Sequence, residues 1–311
     1  MTSYSWTAAA TSRRLIARLI AAGAGLAAGA ALGAPAPAAA APPEGAYWHV
    51  KELLTMPQLG RFGTRAHPYS LVNRQITERW STPDGRAWYA YRELGATPPT
   101  PADKKAWQRD GSPAKWSESI DGKTVRLSTE PSKGHVGSVR ESVTFELAGQ
   151  SLTYDEVQRL PADPARLKDW ITRAGRVSRV PESALPGWVA GTLPRILHVL
   201  PAPREVRDAA YRALLTMPGV RADGTAKDEL GRPGAVVLID TMIDTVNGTG
   251  NGTDKAAVRT TDRLIVDTGR MALLAEEHTA GRSGKGPGKS YVTTLAEVGW
   301  TDAQPAVPAL P

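Results

Sequence analysis

The sequence predicts an α+β fold, a largely antiparallel sheet with helices packed on one face. Three observations carry the prediction. Apolar–polar alternation with many aromatic residues occupies the first stretch, residues 46–94. Helical periodicity with recognisable caps occupies the middle, residues 151–217. Alternation returns between 220 and 298, in segments separated by glycine-rich connectors. Strands, then helices, then strands is the order of an antiparallel sheet covered on one face. No linker and no internal repeat divides the chain, so the sequence divides into a leader (1–41), a single α+β domain (42–300) and a disordered tail (301–311).

The leader has the layout of a signal peptide. Arg13, Arg14 and Arg18 stand in a stretch without acids, and Leu19 to Leu32 is uncharged and rich in Ala, Gly and Leu. "GAPAPAAAAPPEG" follows, with cleavage expected near Ala39 or Ala41. An uncleaved leader is the alternative, and would be the chain's one membrane contact. The apolar run is short, however, and Pro35 and Pro37 follow it. "SRRLIAR" suits a twin-arginine route as well as the general secretory one. The expected location is extracytoplasmic, either secreted or associated with the cell envelope. The chain has no cysteine, which excludes disulfides and thiolate metal sites. Net charge is +7, of which the leader's arginines supply three, leaving about +4 on the mature part. The basic residues are scattered among acids, so nucleic acid is not an expected partner.

In the mature part, "AYWHVKEL" (46–53), "YSLVNRQITERWS" (69–81) and "RAWYAYREL" (86–94) read as strands. "TPDG" (82–85) joins the last two as a hairpin turn, with Pro presetting φ and Gly accepting a positive one. A short helix is capped by Thr100, begins at Pro101 and stops at Gly111. Residues 114–142 yield one strand, "KTVRLS". Thr153 and Glu156 form a capping box. Asp163 caps a helix that starts with Pro164 and carries Leu167, Trp170 and Ile171 on one face, with Gly175 after its end. Residues 186–200 read as an apolar helix bent at Pro194. Residues 203–217 form the strongest helix, with the stripe Val206, Ala210, Leu214 and Met217. Five strands follow, near 220–227, 235–241, 258–266, 271–278 and 291–298.

Several motifs invite chemistry and have plainer readings. Asp267-Thr268-Gly269 follows apolar residues, as in an aspartic protease. Such an enzyme needs two aspartates sharing a proton. No second D-T-G occurs, and Arg270 comes next. A β-hairpin turn between "RLIV" and "MALLAE" accounts for the motif. "GRSGKGPGKS" lacks the first P-loop glycine, since Ser283 stands there, and a strand follows instead of a helix. His49, His67, His135, His198 and His278 show no metal spacing, and no G-x-S-x-G elbow occurs. Asn247 and Asn251 head "NGT" tripeptides, which serve turns as readily as glycosylation. No catalytic, metal or cofactor residue is assigned. The aromatic residues Tyr47, Trp48, Trp80, Trp88, Tyr89 and Tyr91 crowd the first three strands. Of these, Trp48, Trp80, Trp88 and Tyr91 are the candidate ligand-binding residues, for an apolar small molecule or lipid held against the sheet. Core packing beneath the helices is the alternative.

The segments "AYWHVKE", "ERWSTPDGRAW", "LPADPARLKDWI", "AAYRALLTMPGV", "DELGRPGAVV" and "LIVDTGRMALLAEE" occur in this order. Together they resemble an actinobacterial family of exported or membrane-anchored proteins of unknown function, often linked to extracytoplasmic-function sigma factors. The resemblance spans Tyr47 to Glu277. Through it the chain is distantly similar to the unclosed half-barrels of lipoprotein carriers and of sensors that regulate anti-sigma factors. It implies a curved antiparallel sheet with helices in its concavity, and it brings no catalytic residues. The expectation is therefore an exported, non-enzymatic ligand-binding or sensing module. A partner-binding structural protein of the envelope is one alternative, and a hydrolase using Asp267 is another.

Overall fold

The computed structural model describes residues 43–58, 60–120, 123–139, 145–246, 255–282 and 289–311. The expected leader, Asn247 and Asn251, and residues 283–288 of the glycine-rich loop lie outside the described residues. The chain opens with β1 (Tyr47–Pro57), β2 (Val72–Ser81) and β3 (Ala87–Thr97), then α1 (Pro101–Arg109). Short strands follow: β4 (Lys115–Ile120), β5 (Lys123–Ser128), β6 (His135–Ser138), β7 (Phe145–Leu147) and β8 (Gln150–Leu152). The helical segment holds α2 (Tyr154–Gln158), α3 (Pro164–Val177), α4 (Leu185–Thr192), a 3-10 turn (Leu193–Leu197) and α5 (Arg204–Leu215). β9 (Val220–Lys227), β10 (Pro233–Val246), β11 (Lys255–Asp267), β12 (Ala272–Arg282) and β13 (Lys289–Thr301) complete it. Nine strands form one curved, unclosed antiparallel sheet in the order β6-β3-β2-β1-β13-β12-β11-β10-β9. Pairing slips at Lys51/Glu52, Arg74/Gln75, Ala235/Val237 and Ile265/Val266, and such bulges bend and twist a sheet.

Local chemistry accounts for most boundaries. Thr100 accepts the Asp103 amide, the Thr153–Glu156 capping box is formed in both directions, and Asp163 accepts the Arg166 amide. Gly85 takes φ 88° in the "TPDG" turn, where Thr82 and Arg86 close the hairpin. The apolar helix breaks into a 3-10 turn at Leu193-Pro194, because proline removes a donor and crowds the preceding turn.

Three expectations change. Residues 114–139 hold three strands instead of one; β4 and β5 form a separate hairpin, while β6 joins the edge of the main sheet. Gly175 does not end its helix. It lies inside α3, where a Cβ would come within 2.7 Å of Trp188 and 2.8 Å of Leu185, so glycine is there to let α4 approach. The last ten residues have no regular structure, yet they run along the sheet: Pro308 is buried, and Val307 sits over Gly134.

Strand alternation divides the large sheet into two faces. The inner face packs against α2 to α5, with Trp48, Val50, Val237, Ile239, Leu264 and Leu295 meeting Leu167, Ile171, Ile196, Leu197 and Leu214. Each fully buried aliphatic side chain contributes about 1.5–3 kcal/mol. Trp48 donates its indole N–H to the His198 carbonyl (3.2 Å) and meets Trp300 edge-on at 5.7 Å. A smaller cluster of Phe62, Tyr69, Leu71, Ala96 and Trp116 seats α1 and the β4–β5 hairpin. Among the described residues, no helix is long and apolar enough to cross a membrane.

The outer face carries a polar clip. β12 and β13 pair only from Ala275 to Ala280 and from Thr294 to Lys289. Beyond Thr294, β13 pairs with β1 alone, and Leu274 and Leu295 lie outside the β12–β13 ladder, leaving a gap between the two strands. Arg232, between β9 and β10, fills it by donating to Leu295 O (2.7 Å), Leu274 O (3.3 Å) and the bulge residue's Ala296 O (3.5 Å). Asp228 fixes the arginine: Oδ2 accepts Arg232 Nε at 2.7 Å, and Oδ1 accepts the Leu230 and Arg232 amides. The Asp228 side chain is fully buried. Arg232→Ala should therefore cost about 3–5 kcal/mol in urea unfolding, because it strands a buried carboxylate and three carbonyls. Arg232→Lys should restore only part of that, since an ammonium lacks the planar fork. A loss below about 1 kcal/mol for Arg232→Ala would show that water can take the arginine's place.

Candidate functional site

The four aromatic residues singled out from the sequence do not converge. Trp48 and Trp80 lie on opposite faces, because Trp80 pairs with His49, the neighbour of Trp48. Trp48 is 6% exposed in the inner core. Trp80 is 3% exposed on the outer face and stacks on His49 with centroids 4.9 Å apart. Trp88, beside Trp80, meets Tyr47 edge-on at 5.6 Å. Tyr91 alone reaches the open part of the inner face. The Trp-lined surface is thus corrected: alternation sends adjacent aromatic residues to different faces, and Trp48 and Trp80 are packed.

A shallow outer cleft of about 270 Å³ lies beside Trp80, flanked by Ala306 and Val307 of the C-terminal segment. Its charged groups pair with one another. His49 Nε2 donates to Glu78 Oε2 at 2.9 Å, and Lys51 Nζ lies 3.3 Å from Glu297 and 3.6 Å from Glu78. Asp267 has a structural task as well. Its Oδ1 accepts the Gly269 and Arg270 amides at 2.9 and 3.0 Å, closing the β11–β12 turn, in which Met271 takes the left-handed φ of 49°. His198 is buried with Nδ1 donating to Pro194 O (3.2 Å), and burial pushes its pKa down to about 3.

The inner face holds a different constellation. Along each long strand, its residues are apolar beneath the helices and turn polar at a similar level. Val50 gives way to Glu52 on β1, Ile239 to Thr241 on β10, and Leu264 to Asp262 on β11. Leu273 gives way to Glu276 and His278 on β12, and Ala87 to Tyr89 and Tyr91 on β3. On β10, α4 still reaches Thr241, whose methyl would lie 3.2 Å from a Cβ on Gly187, whereas on β3 and β13 the inner face is left as an open floor. Tyr89, Tyr91 and Tyr291 are 39%, 38% and 39% exposed. These rings account for three of the eight large apolar side chains exposed among the described residues. Arg195, on the 3-10 turn, feels the charges of Glu276 and Glu52, and Glu276 in turn feels that of Arg195.

Neighbouring side chains on the floor hold one another. Thr77 donates to Glu52 at 3.1 Å. His278 Nδ1 donates to Asp262 at 2.5 Å, and its ring stacks on Tyr291 at 4.9 Å. Tyr89 and Tyr91 lie 6.2 Å apart. Glu276 is the most perturbed acid: burial, then the charge of Asp262, push its pKa up to about 7, while His278 and Arg195 pull it down. Burial first, then Glu276 and Asp262, raise the Tyr291 hydroxyl; burial, then Glu52, raise that of Tyr89. Both phenols stay protonated donors at neutral pH. Among the described residues, no group of His, Asp and Glu is arranged to hold a metal. The sequence groups Tyr89 and Tyr91 with the other aromatic residues of the first strands and offers Tyr91 as a ligand-binding residue, but it does not join His278 to them, and Glu52, Arg79, Arg195, Asp262, Glu276 and Tyr291 carry no signal of their own. The signal was the shared apolar-to-polar switch along the strands.

A raised carboxyl binds its proton more tightly in the folded state, so its stabilising contribution is lost as pH rises from the ordinary carboxyl range through about 7. Glu276→Gln mimics the neutral acid. Its stability should approach wild type near pH 4 and exceed it at pH 8 by about 1–2 kcal/mol, allowing for partial solvation. His198, kept neutral by burial, weakens both proteins alike as pH falls below its ordinary value, so the difference between them isolates Glu276. Urea unfolding at the two pH values checks this, and a pH-independent difference would refute it.

No protein-family model matches the chain, and no curated protein matches it in sequence.

Proposed function

We propose that the protein is an exported, non-enzymatic ligand-binding or sensing module of the cell envelope, with the open inner floor as its binding surface. The observation that carries this reading is the incomplete cover of the inner face. The helices bury one end of the sheet and leave the other lined by three exposed tyrosines and by charges of both signs. Exposed rings grouped with convergent polar groups mark binding surfaces more often than scattered solvated side chains do. The Glu276 carboxyl, its pKa raised by burial and by Asp262 among these charges, supports the same assignment. The location rests on the N-terminal pattern of arginines, apolar run and small residues.

Native mass spectrometry of the mature protein from its own host tests the reading. A bound mass is expected on wild type, and Tyr89→Ala or Tyr291→Ala should remove most of it with little change in thermal midpoint. Trp80→Ala should do the reverse, keeping the ligand while costing about 3–5 kcal/mol of stability as a large buried ring is lost. Retention of the mass by both tyrosine variants, or its loss in Trp80→Ala alone, would move the site to the outer face. A bare protein that crosslinks to another envelope protein through the floor would favour the partner-binding alternative.

A further inference from the structure

The floor restricts the chemistry of what it can hold. β1, β2 and β13 are each paired on both sides over most of this region, so their main-chain groups are already used in ladders. A ligand lying here meets side chains almost alone. An extended peptide draws much of its affinity from a free sheet edge, which the floor does not offer. A lipid chain needs a continuous apolar lining. Only Leu54 and Met56 supply one on β1, and Thr293 and Gln75 lie beside Leu54 in register. Closing an acyl chain over such polar and charged groups would strip them of water without compensation.

What the floor does offer is flat rings and planar polar groups. Tyr89, Tyr91 and Tyr291 are each more than a third exposed, Tyr291 with one ring face stacked on His278, and aromatic rings suit C–H surfaces. Glu52, Asp262 and Glu276 carry paired acceptor oxygens, and Arg195 and Arg79, which stands between Val50 and Tyr89 in register on the inner face, carry paired donors, spacings that suit neighbouring hydroxyls. The two signs are near balance, so a ligand of high charge would meet repulsion from one set or the other. From Asp262 on β11 to Tyr91 on β3, the floor crosses five strand intervals, or about 24 Å at the usual strand spacing. That length suits a linear ligand better than a single small molecule.

We infer that the inner floor binds a neutral oligosaccharide laid across the strands, stacked on Tyr89, Tyr91 and Tyr291 and hydrogen-bonded by the carboxylates and guanidinium groups between them. This rests on the binding-module reading and names its ligand class. The probes are the neutral hexasaccharides of the maltose, cellulose, chitin and mannan series, titrated calorimetrically into the mature protein. At least one should bind saturably. Tyr89→Ala and Tyr291→Ala should each weaken it about tenfold, while Glu297→Gln on the outer face leaves it unchanged. A heparin hexasaccharide or an acyl-chain micelle that binds where every neutral hexasaccharide fails would overturn the carbohydrate assignment and keep the floor as a site. The same holds for a host-derived bound mass that depends on the tyrosines but matches a lipid or peptide. Failure of all probes together with a bare native mass would remove both the class and the binding-module reading.

Discussion

The pairing of the first long strand with the last is the constraint on which the rest of the structure depends. β1 and β13 run antiparallel from Tyr47↔Thr301 to Thr55↔Val292. Without that seam, the chain would hold two separate antiparallel blocks, β6-β3-β2-β1 and β13-β12-β11-β10-β9, each with one apolar face and too little to cover it. The seam closes a loop of nearly the whole mature chain, so its entropy cost must be met by what it brings together. Trp48 and Trp300 meet across it, and Tyr154 of α2 packs on Trp300 at 5.8 Å. Arg232 seals the point where β13 leaves β12.

Helix placement follows from that surface. A single apolar patch, built from strands on both sides of the seam, receives α2 to α5, and Gly175 lets α3 and α4 pack closely enough to fit. The patch is shorter than the strands. Past its edge, the inner face must be solvated, and its residues become charged or phenolic. The open floor is thus a consequence of long strands under short helices. Asp262 and Glu276 come from β11 and β12, Glu52 from β1 and the paired tyrosines from β3, so the site exists only once the seam has formed.

The outer face solves a different problem. It has no helices, yet Trp80 and the His49–Glu78 pair are buried there beside the final segment, which lies along the sheet. Each polar group in that cluster has a charged or hydrogen-bonding neighbour, as burial demands. Trp80 is therefore committed to packing, and an outer-face ligand would first have to displace both the stack and the segment.

The strand–helix–strand order, the caps at Thr100, Thr153 and Asp163, the break at Pro194 and the turns at Gly85 and Asp267 were legible in the sequence. Each is set by residues within four positions, where backbone donors, φ preferences and side-chain reach act locally. Alternation also told that strands such as "RAWYAYREL" have two faces, but not which face meets the helices. Trp48 and Trp80 were therefore grouped together although they lie on opposite sides. Short strands with little periodicity, β4 and β6, escaped because pairing partners create them. The binding floor escaped for the same reason. Glu52, Glu276, Asp262 and Arg195 lie far apart in the chain, and each alone is an ordinary surface charge. The sequence by itself determined the long elements and their caps, since those depend on near neighbours. Only the tertiary structure decided which charges and rings share the uncovered face, because that depends on strand register and on where the helices end.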